Sequence, residues 1–241
     1  MCDPRVLVII PTYNERDNLL ILADALFAVR PSTHVLVVDD ASPDGTGEVA
    51  DDLAAKDPRV FVLHRRGKLG LGTAYVEGFR FALDRRYDIV VEMDADMSHD
   101  PKYLPALITA IHDGADVALG SRNIPKGGVI GWGPGRQILS KGGSLYARTI
   151  LGVPIQDLTT GYKAFSRHAL ETIGIDEIRS NGYSFQIETT YRALRWGLRV
   201  VEVPIVFVDR RVGQSKMSRR IFAEAISMVW MLRAESLLKR I

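Results

Sequence analysis

Over the first 120 positions, apolar residues fall into short runs rich in Val and Ile, separated by longer segments in which they recur with helical spacing. Short runs bounded by polar turns suit buried strands, and the wider spacing suits helices that bury one face. The pattern predicts strands at 5–11, 34–39, 59–64, 88–93 and 115–120. Between them it predicts helices over Asp17–Val29, Thr46–Lys56, Gly72–Arg85 and Pro101–Asp113, the last opened by a proline suited to a first helical turn. This alternation is that of an α/β protein, a mostly parallel central sheet flanked by helices.

After Arg122 the alternation stops. Gly127, Gly128, Gly131, Gly133 and Gly135 mark a loop suited to covering a site, and a helix follows over Arg136–Leu151. A short strand is expected over Lys163–Ser166, a helix over Phe185–Trp196 and a strand pair over Arg199–Val208. No Pro/Ser-rich linker divides the halves. They read as two lobes of one domain, about 1–122 and about 123–216, followed by a basic helix over 217–241. The apolar run Val6–Ile10 is too short for a signal peptide, and Ala225–Leu232 falls far below the roughly 20 residues that cross a bilayer. A membrane-spanning protein is therefore not expected.

With 46% hydrophobic and 25% charged residues, the chain lies outside the range of disordered sequences. A formal net charge of +2 gives no broadly cationic surface, so nucleic acid is not an expected partner. Cys2 is alone, which excludes an internal disulfide and a cysteine-rich zinc site. The charge is unevenly placed. Residues 209–241 carry eight Lys or Arg against three Asp or Glu, and Ile221, Phe222, Ala225, Ile226, Val229, Trp230 and Leu232 give their helix a broad apolar face. Such a helix either packs on the sheet or lies at a membrane surface.

Acidic residues gather at the predicted strand ends. Val90-Val91-Glu92-Met93 runs into Asp94-Ala95-Asp96, two carboxylates at i and i+2 that can converge on one oxygen-preferring divalent cation such as Mg²⁺ or Mn²⁺. Acid pairs also cap helices, and Asp100-Pro101 offers a cap of its own. The second strand ends in Asp39-Asp40, followed by Asp44 to Thr46, which reads as turn and cap chemistry. An acid here can accept from ribose hydroxyls or a base N–H. The first strand ends in Pro11-Thr12-Tyr13-Asn14-Glu15, where Tyr13 can stack on a base. Carboxylates crowded on one sheet edge repel unless a cation or donors sit among them. Their coincidence points to a metal and nucleotide site. The first strand lacks the glycines of a dinucleotide fold, which argues against NAD, and Gly67 to Thr73 matches no phosphate-loop spacing, leaving Lys68 as phosphate contact or surface charge. Candidate phosphate partners are Arg122, then Arg136 and Ser140 on one helical face, then Arg210, Arg211 and Lys216.

The segments PTYNERDN, VVDDASPDGT, KLGLGTAY, MDADMSH, GSR, DLTTGYKAF, GYSFQIE and VPIVFVDRRVGQSK, in this order, resemble those of the polyprenol or dolichol phosphate mannosyltransferases, which belong to the family 2 glycosyltransferases of GT-A fold. The resemblance runs from about residue 5 to 218. It implies a metal-dependent enzyme that moves mannose from GDP-mannose to a polyprenyl monophosphate with inversion, using Mg²⁺ or Mn²⁺. By position it assigns Pro11, Tyr13, Glu15, Val38 and Asp40 to the nucleoside, Asp94, Ala95 and Asp96 to metal and diphosphate, and Arg122 to sugar or diphosphate. It further assigns Arg210 and Lys216 to phosphates, and Arg136 and Ser140 to the acceptor phosphate. Ser98 stands where some relatives carry a metal-ligating Gln. Asp157 either orients the sugar or serves as a structural cap. Many relatives continue into membrane-spanning helices, so this chain is expected at the cytoplasmic face of a membrane, bound peripherally or through an anchored partner subunit. The alternatives are UDP-glucose or another nucleotide sugar as donor, and a non-catalytic nucleotide- or lipid-phosphate-binding subunit.

Overall fold

The Val- and Ile-rich runs become strands because both of their faces are covered. The structure, a computed structural model, describes residues 3–209 and 219–238, without the side chains of Tyr183 and residues 219–225. Its strands are β1 (Val6–Thr12), β2 (His34–Asp39), β3 (Val60–His64), β4 (Ile89–Glu92), β5 (Val117–Ser121), β6 (Gly128–Ile130), β7 (Lys163–Ser166), β8 (Val200–Pro204) and β9 (Val206–Val208). Its helices are α1 (Arg16–Val29), α2 (Thr46–Lys56), α3 (Leu71–Asp84), α4 (Leu104–His112), α5 (Pro134–Leu151), α6 (Arg167–Thr172), α7 (Gly182–Arg195) and α8 (Arg219–Leu237).

The main sheet has the order β3-β2-β1-β4-β7-β5-β8, and β7 alone runs antiparallel to its neighbours. From β1 the chain steps outward to β2 and β3, then returns to place β4 on the other side of β1. This reversal makes a crevice at the carboxyl ends of β1 and β4, the place where open α/β sheets bind ligands. Successive strand residues bury on opposite faces. Leu7, Ile9, Leu36 and Val38 join Phe79, Phe185, Val229 and Leu232 in one core, while Val6, Val8, Ile10, Val35 and Val37 join Leu19, Leu22, Leu26 and Leu107 in the other.

The strands at 5–11, 59–64, 88–93 and 115–120 appear with small shifts at their ends, and β2, α2 and β7 keep the expected limits. Other features differ. The strand pair expected over Arg199–Val208 does not pair with itself: β8 joins β5, whereas β9 joins β6 in a separate two-stranded parallel ladder. The segment expected as one helix over Pro101–Asp113 opens as a 3₁₀ turn, Pro101–Tyr103, before α4. Neither β6 nor α6 was expected. Because β7 inserts between β4 and β5, the two halves share one sheet. On α8, Val229 and Leu232 are buried while Ile226 and Trp230 are exposed, so its apolar surface is divided between core and solvent. The side chains of Ile221, Phe222 and Ala225 lie outside the described residues. Among the described residues no helix is long and apolar enough to cross a membrane.

Candidate active site

Backbone strain collects where the strands end. Asn14, Ala41 and Met97, which follow β1, β2 and β4, have φ of 61°, 53° and 61°, a region that costs non-glycine residues energy and tends to persist at functional sites. Hydrogen bonds hold these turns. Thr12 donates to Asp39 Oδ1 at 2.9 Å, Ser42 Oγ donates to the same carboxylate at 2.5 Å, and the Asn14 amide donates to Ser42 Oγ at 3.1 Å. Asp39 is thus an internal brace between the ends of β1 and β2. Asp40 meets Arg65 Nη1 at 2.5 Å in a pair whose side chains are only 2% and 9% exposed. Arg65 also donates to Thr73 Oγ1 at 2.5 Å and to the Gly70 carbonyl at 3.2 Å, so it ties the glycine-rich segment to the site. That segment brings Lys68 Nζ to 4.0 Å from the centre of the Tyr13 ring. Pro11 and Glu15 flank the same edge. Val38 is wholly buried in the β2 ladder and shows no surface to a ligand in this conformation.

Asp94 and Asp96 follow β4 at the crevice. The Asp94 amide donates to His99 Nδ1 at 3.0 Å, which puts the ring proton of His99 on Nε2, 3.9 Å from Asp94 Oδ2. His99 is buried, and burial holds its pKa below the ordinary histidine value against the pull of Asp94 and Asp96. It stacks on Tyr162 at 5.1 Å and meets Phe207 edge-on at 5.7 Å. The Ser98 amide donates to Asp96 Oδ1 at 3.1 Å, and Ala95 is nearly buried. Ser98 Oγ is buried and has no hydrogen-bond partner among the described residues. Burial raises the Tyr75 phenol well above its usual pKa, with Asp94, Glu92 and Asp96 adding to the effect.

The donor set fits a hard divalent cation. Two carboxylates at one strand end suit Mg²⁺ or Mn²⁺, which are commonly held by one or two carboxylates with phosphate and water completing the shell. Among the described residues no group of three His, Cys, Asp or Glu side chains stands ready to hold a metal by itself.

Behind the crevice, Glu92 faces Lys163 across the β4–β7 ladder, both fully buried. Burial pushes Glu92 up to about 7 despite Lys163, and pushes Lys163 down to about 8 despite Glu92. Lys163 donates to the Gln186 carbonyl at 2.6 Å and to Thr189 Oγ1 at 3.1 Å, joining α7 to the sheet beneath the site.

Arg122, at the end of β5, is held by Asp157 in a two-pronged pair at 2.7 and 2.7 Å, and Thr159 accepts from it at 3.0 Å. Burial by itself would raise the Asp157 carboxyl, but the charge and hydrogen bonds of Arg122 outweigh it and hold the group below the ordinary carboxylate range. Asp157 is thereby an anchor for Arg122. The Trp132 ring links this anchor to α5. Its centre lies 5.6 Å from the Arg122 guanidinium carbon and 4.3 Å from that of Arg136. Arg136 and Ser140 are both in α5 one turn apart, as expected, and the same stripe continues to Ser144, whose hydroxyl lies 3.5 Å from Thr159 Oγ1. Arg210 and Lys216 lie outside the described residues.

Sequence reasoning assigned no role to Arg65, His99, Trp132 or Asp209. His99 stood within MDADMSH and Asp209 beside Arg210, so proximity to a motif was their only signal.

The sequence profile described as Glycosyl transferase family 2 matches residues 7–174. The chain belongs to glycosyl transferase family 2. Among relatives of this family 2 protein, an undecaprenyl-phosphate mannosyltransferase of Micrococcus luteus is 52% identical over 92% of this chain and 91% of its own length. A polyprenol monophosphomannose synthase of Mycolicibacterium smegmatis is 51% identical over 93% and 85%. The fold is that of GT-A glycosyltransferases. A glucosyl-3-phosphoglycerate synthase from Mycobacterium tuberculosis, solved with phosphoglyceric acid, superimposes with a TM-score of 0.70 at 19% identity, covering 96% of this chain and 80% of that one. A mannosyltransferase from Pyrobaculum calidifontis, solved with GDP-Man and Mn²⁺, gives 0.61 at 21% identity, covering 99% and 65%.

Proposed function

We propose that this family 2 enzyme transfers mannose from GDP-mannose to a polyprenyl monophosphate, inverting the anomeric carbon. The observation that carries the reading is the meeting of two half-sites at Trp132. The acid-bearing strand ends and Arg122 lie on one side of the family 2 crevice, and Arg136 with Ser140 projects from α5. Of the two relatives at 52% and 51% identity, one is named for mannosyl transfer on undecaprenyl phosphate and the other for synthesis of polyprenol monophosphomannose, which supports mannose and lipid phosphate as the pair.

In this reading Pro11, Tyr13, Glu15 and Asp40 border the nucleoside, with Lys68 near the phosphates and Val38 lending support from the core. Asp94 and Asp96 are the metal ligands, next to Ala95. Mg²⁺ or Mn²⁺, when bound there, neutralises charge on the diphosphate and so improves it as a leaving group. Arg122 is the cationic group on the donor side, and the family resemblance assigns Arg210 and Lys216, outside the described residues, to the phosphates. Arg136 and Ser140 receive the acceptor phosphate. A phosphate monoester has its second pKa near 6 and is largely dianionic at neutral pH. Its oxygen therefore attacks C1 without first losing a proton to the protein. The bond from C1 to the diphosphate oxygen breaks, and the electron pair leaves with GDP. Arg122 and Arg136 reduce repulsion between nucleophile and leaving group, and the paired positions hold the two in line.

The lipid has a surface to follow. Ile138, Leu139 and Leu145 on α5 and Ile226 and Trp230 on α8 are exposed, and the two helices pack against each other. With the basic character of residues 209–241, this face binds an anionic membrane surface peripherally at its cytoplasmic side. The deciding assay offers GDP-mannose and UDP-glucose in parallel, with polyprenyl phosphate and Mn²⁺, and follows the lipid-linked sugar. Lipid-linked mannose from GDP-mannose is the expected product. Preferential glucose transfer would replace the donor, and absence of both products would leave a binding subunit.

A further inference from the structure

An arginine at the start of an exposed helix ordinarily samples many rotamers, and a ligand that fixes it must offset that lost freedom. Arg136 is already held. Its guanidinium carbon lies 4.3 Å from the Trp132 ring centre, and its Nη1 donates to both oxygens of Asp209, at 2.9 and 3.0 Å. Nε and Nη2 make no hydrogen bond among the described residues. They form the edge of the guanidinium that pairs two-pronged with a phosphate.

The holders are themselves fixed by the small ladder. The Asp209 amide donates to the Ile130 carbonyl at 2.9 Å, carrying the β6–β9 pairing one residue past β9. Opposite it, Gly131 has φ +90°, and a Cβ there would fall 3.0 Å from Asp209 Cβ, so the close approach of the two backbones requires glycine. Trp132 meets Phe207 of β9 edge-on at 5.3 Å, and its carbonyl accepts from Gln137 at 3.1 Å. One short ladder thus carries both the carboxylate and the ring that grip Arg136.

We infer that Asp209 is a positioning residue for the acceptor. Together with Trp132, it fixes Arg136 so that the Nε and Nη2 edge meets the acceptor phosphate. This rests on the reading of Arg136 as an acceptor-phosphate ligand. Of the Arg136 guanidinium the carboxylate engages Nη1, so it orients the group without occupying the edge that the phosphate needs. Asp209 also directly precedes Arg210, so it joins the chain segment assigned to the leaving group to the side chain assigned to the nucleophile.

The test is a double-mutant cycle on the full chain with polyprenyl phosphate varied at saturating GDP-mannose and Mn²⁺. Asp209→Asn should raise the KM for polyprenyl phosphate about tenfold, the size of one charge-assisted hydrogen bond, with kcat and the KM for GDP-mannose changed less than about threefold. In an Arg136→Ala background the same substitution should add nothing. Trp132→Leu is the second probe, expected to act in the same direction and to fall silent in the same background. A lower acceptor KM in Asp209→Asn would make the carboxylate a competitor and overturn the inference, as would an equal effect with and without Arg136. If Arg136→Ala raises the acceptor KM but neither Asp209→Asn nor Trp132→Leu does, only the positioning role fails. If Arg136→Ala leaves that KM unchanged, the acceptor-site reading falls with it.

Discussion

The proposed donor and acceptor sides of the crevice are both built on arginine–carboxylate pairs, but the pairs differ in depth. Asp40–Arg65 and Arg122–Asp157 are almost dry, whereas Arg136 and Asp209 are 28% and 29% exposed. A buried pair whose partner is removed leaves a charge with neither water nor counterion, while an exposed pair is readily replaced by solvent. The donor side is therefore shaped before any ligand arrives. Arg136 is held more loosely, by one nitrogen and a ring face, which under the proposed function leaves it able to meet a phosphate carried by a lipid in another phase.

The largest effect should come from the donor side's chemistry. Asp96→Ala is expected to lower kcat by about 10³-fold, the scale of several kcal/mol of lost charge stabilisation, with the melting temperature nearly unchanged. Retained turnover in this variant would remove the acid pair from the mechanism. The next contrast is in stability. Arg122→Ala should destabilise the fold by about 3–5 kcal/mol by stranding Asp157, whereas Arg136→Ala should cost about 1 kcal/mol or less, both read from chemical denaturation. Equal losses would erase the distinction between the two sides.

A third prediction concerns the buried Glu92–Lys163 pair. Glu92 titrates near 7 when folded and near 4.5 when unfolded, so between those values the folded state binds more protons. Stability should fall as pH rises through that window, by at most about 1.4 kcal/mol per pH unit. Glu92→Gln should flatten the fall in metal-free melts, and an unaltered slope would assign it to other groups. The smallest effect belongs to the surface. Ile138→Ser with Trp230→Ser should weaken binding to anionic vesicles by about tenfold while leaving the melting temperature within a few degrees. Unchanged vesicle binding would place the membrane contact elsewhere.

Much of the donor half was legible because its signals are local. Strands β1 to β5 are short apolar runs with polar ends, and Asp94 and Asp96 declare themselves by position at the end of one of them. What stayed hidden depends on partners far away in the chain. Nothing near Asp40 names Arg65, nothing near Arg122 names Asp157 35 residues later, and Arg136 and Asp209 are 73 residues apart. Strand β6 is three residues containing a glycine, too little for a period, and it exists because β9 lies beside it. Likewise, Lys163 makes β7 look half-exposed in sequence, yet the strand is buried between β4 and β5, with Glu92 facing that lysine. The assignment of Arg136 and Ser140 to the acceptor rests on the eight-segment resemblance, since composition and spacing alone left them among ordinary surface residues.

The most direct measurement is calorimetric titration of GDP-mannose into the wild-type protein and into Asp94→Asn/Asp96→Asn, each with and without Mn²⁺. The expected result is binding that strengthens at least about tenfold with Mn²⁺ in the wild type and shows no Mn²⁺ dependence in the variant. Equal affinity in both proteins, indifferent to the cation, would contradict the assignment of the β4 carboxylates to a metal-held sugar nucleotide.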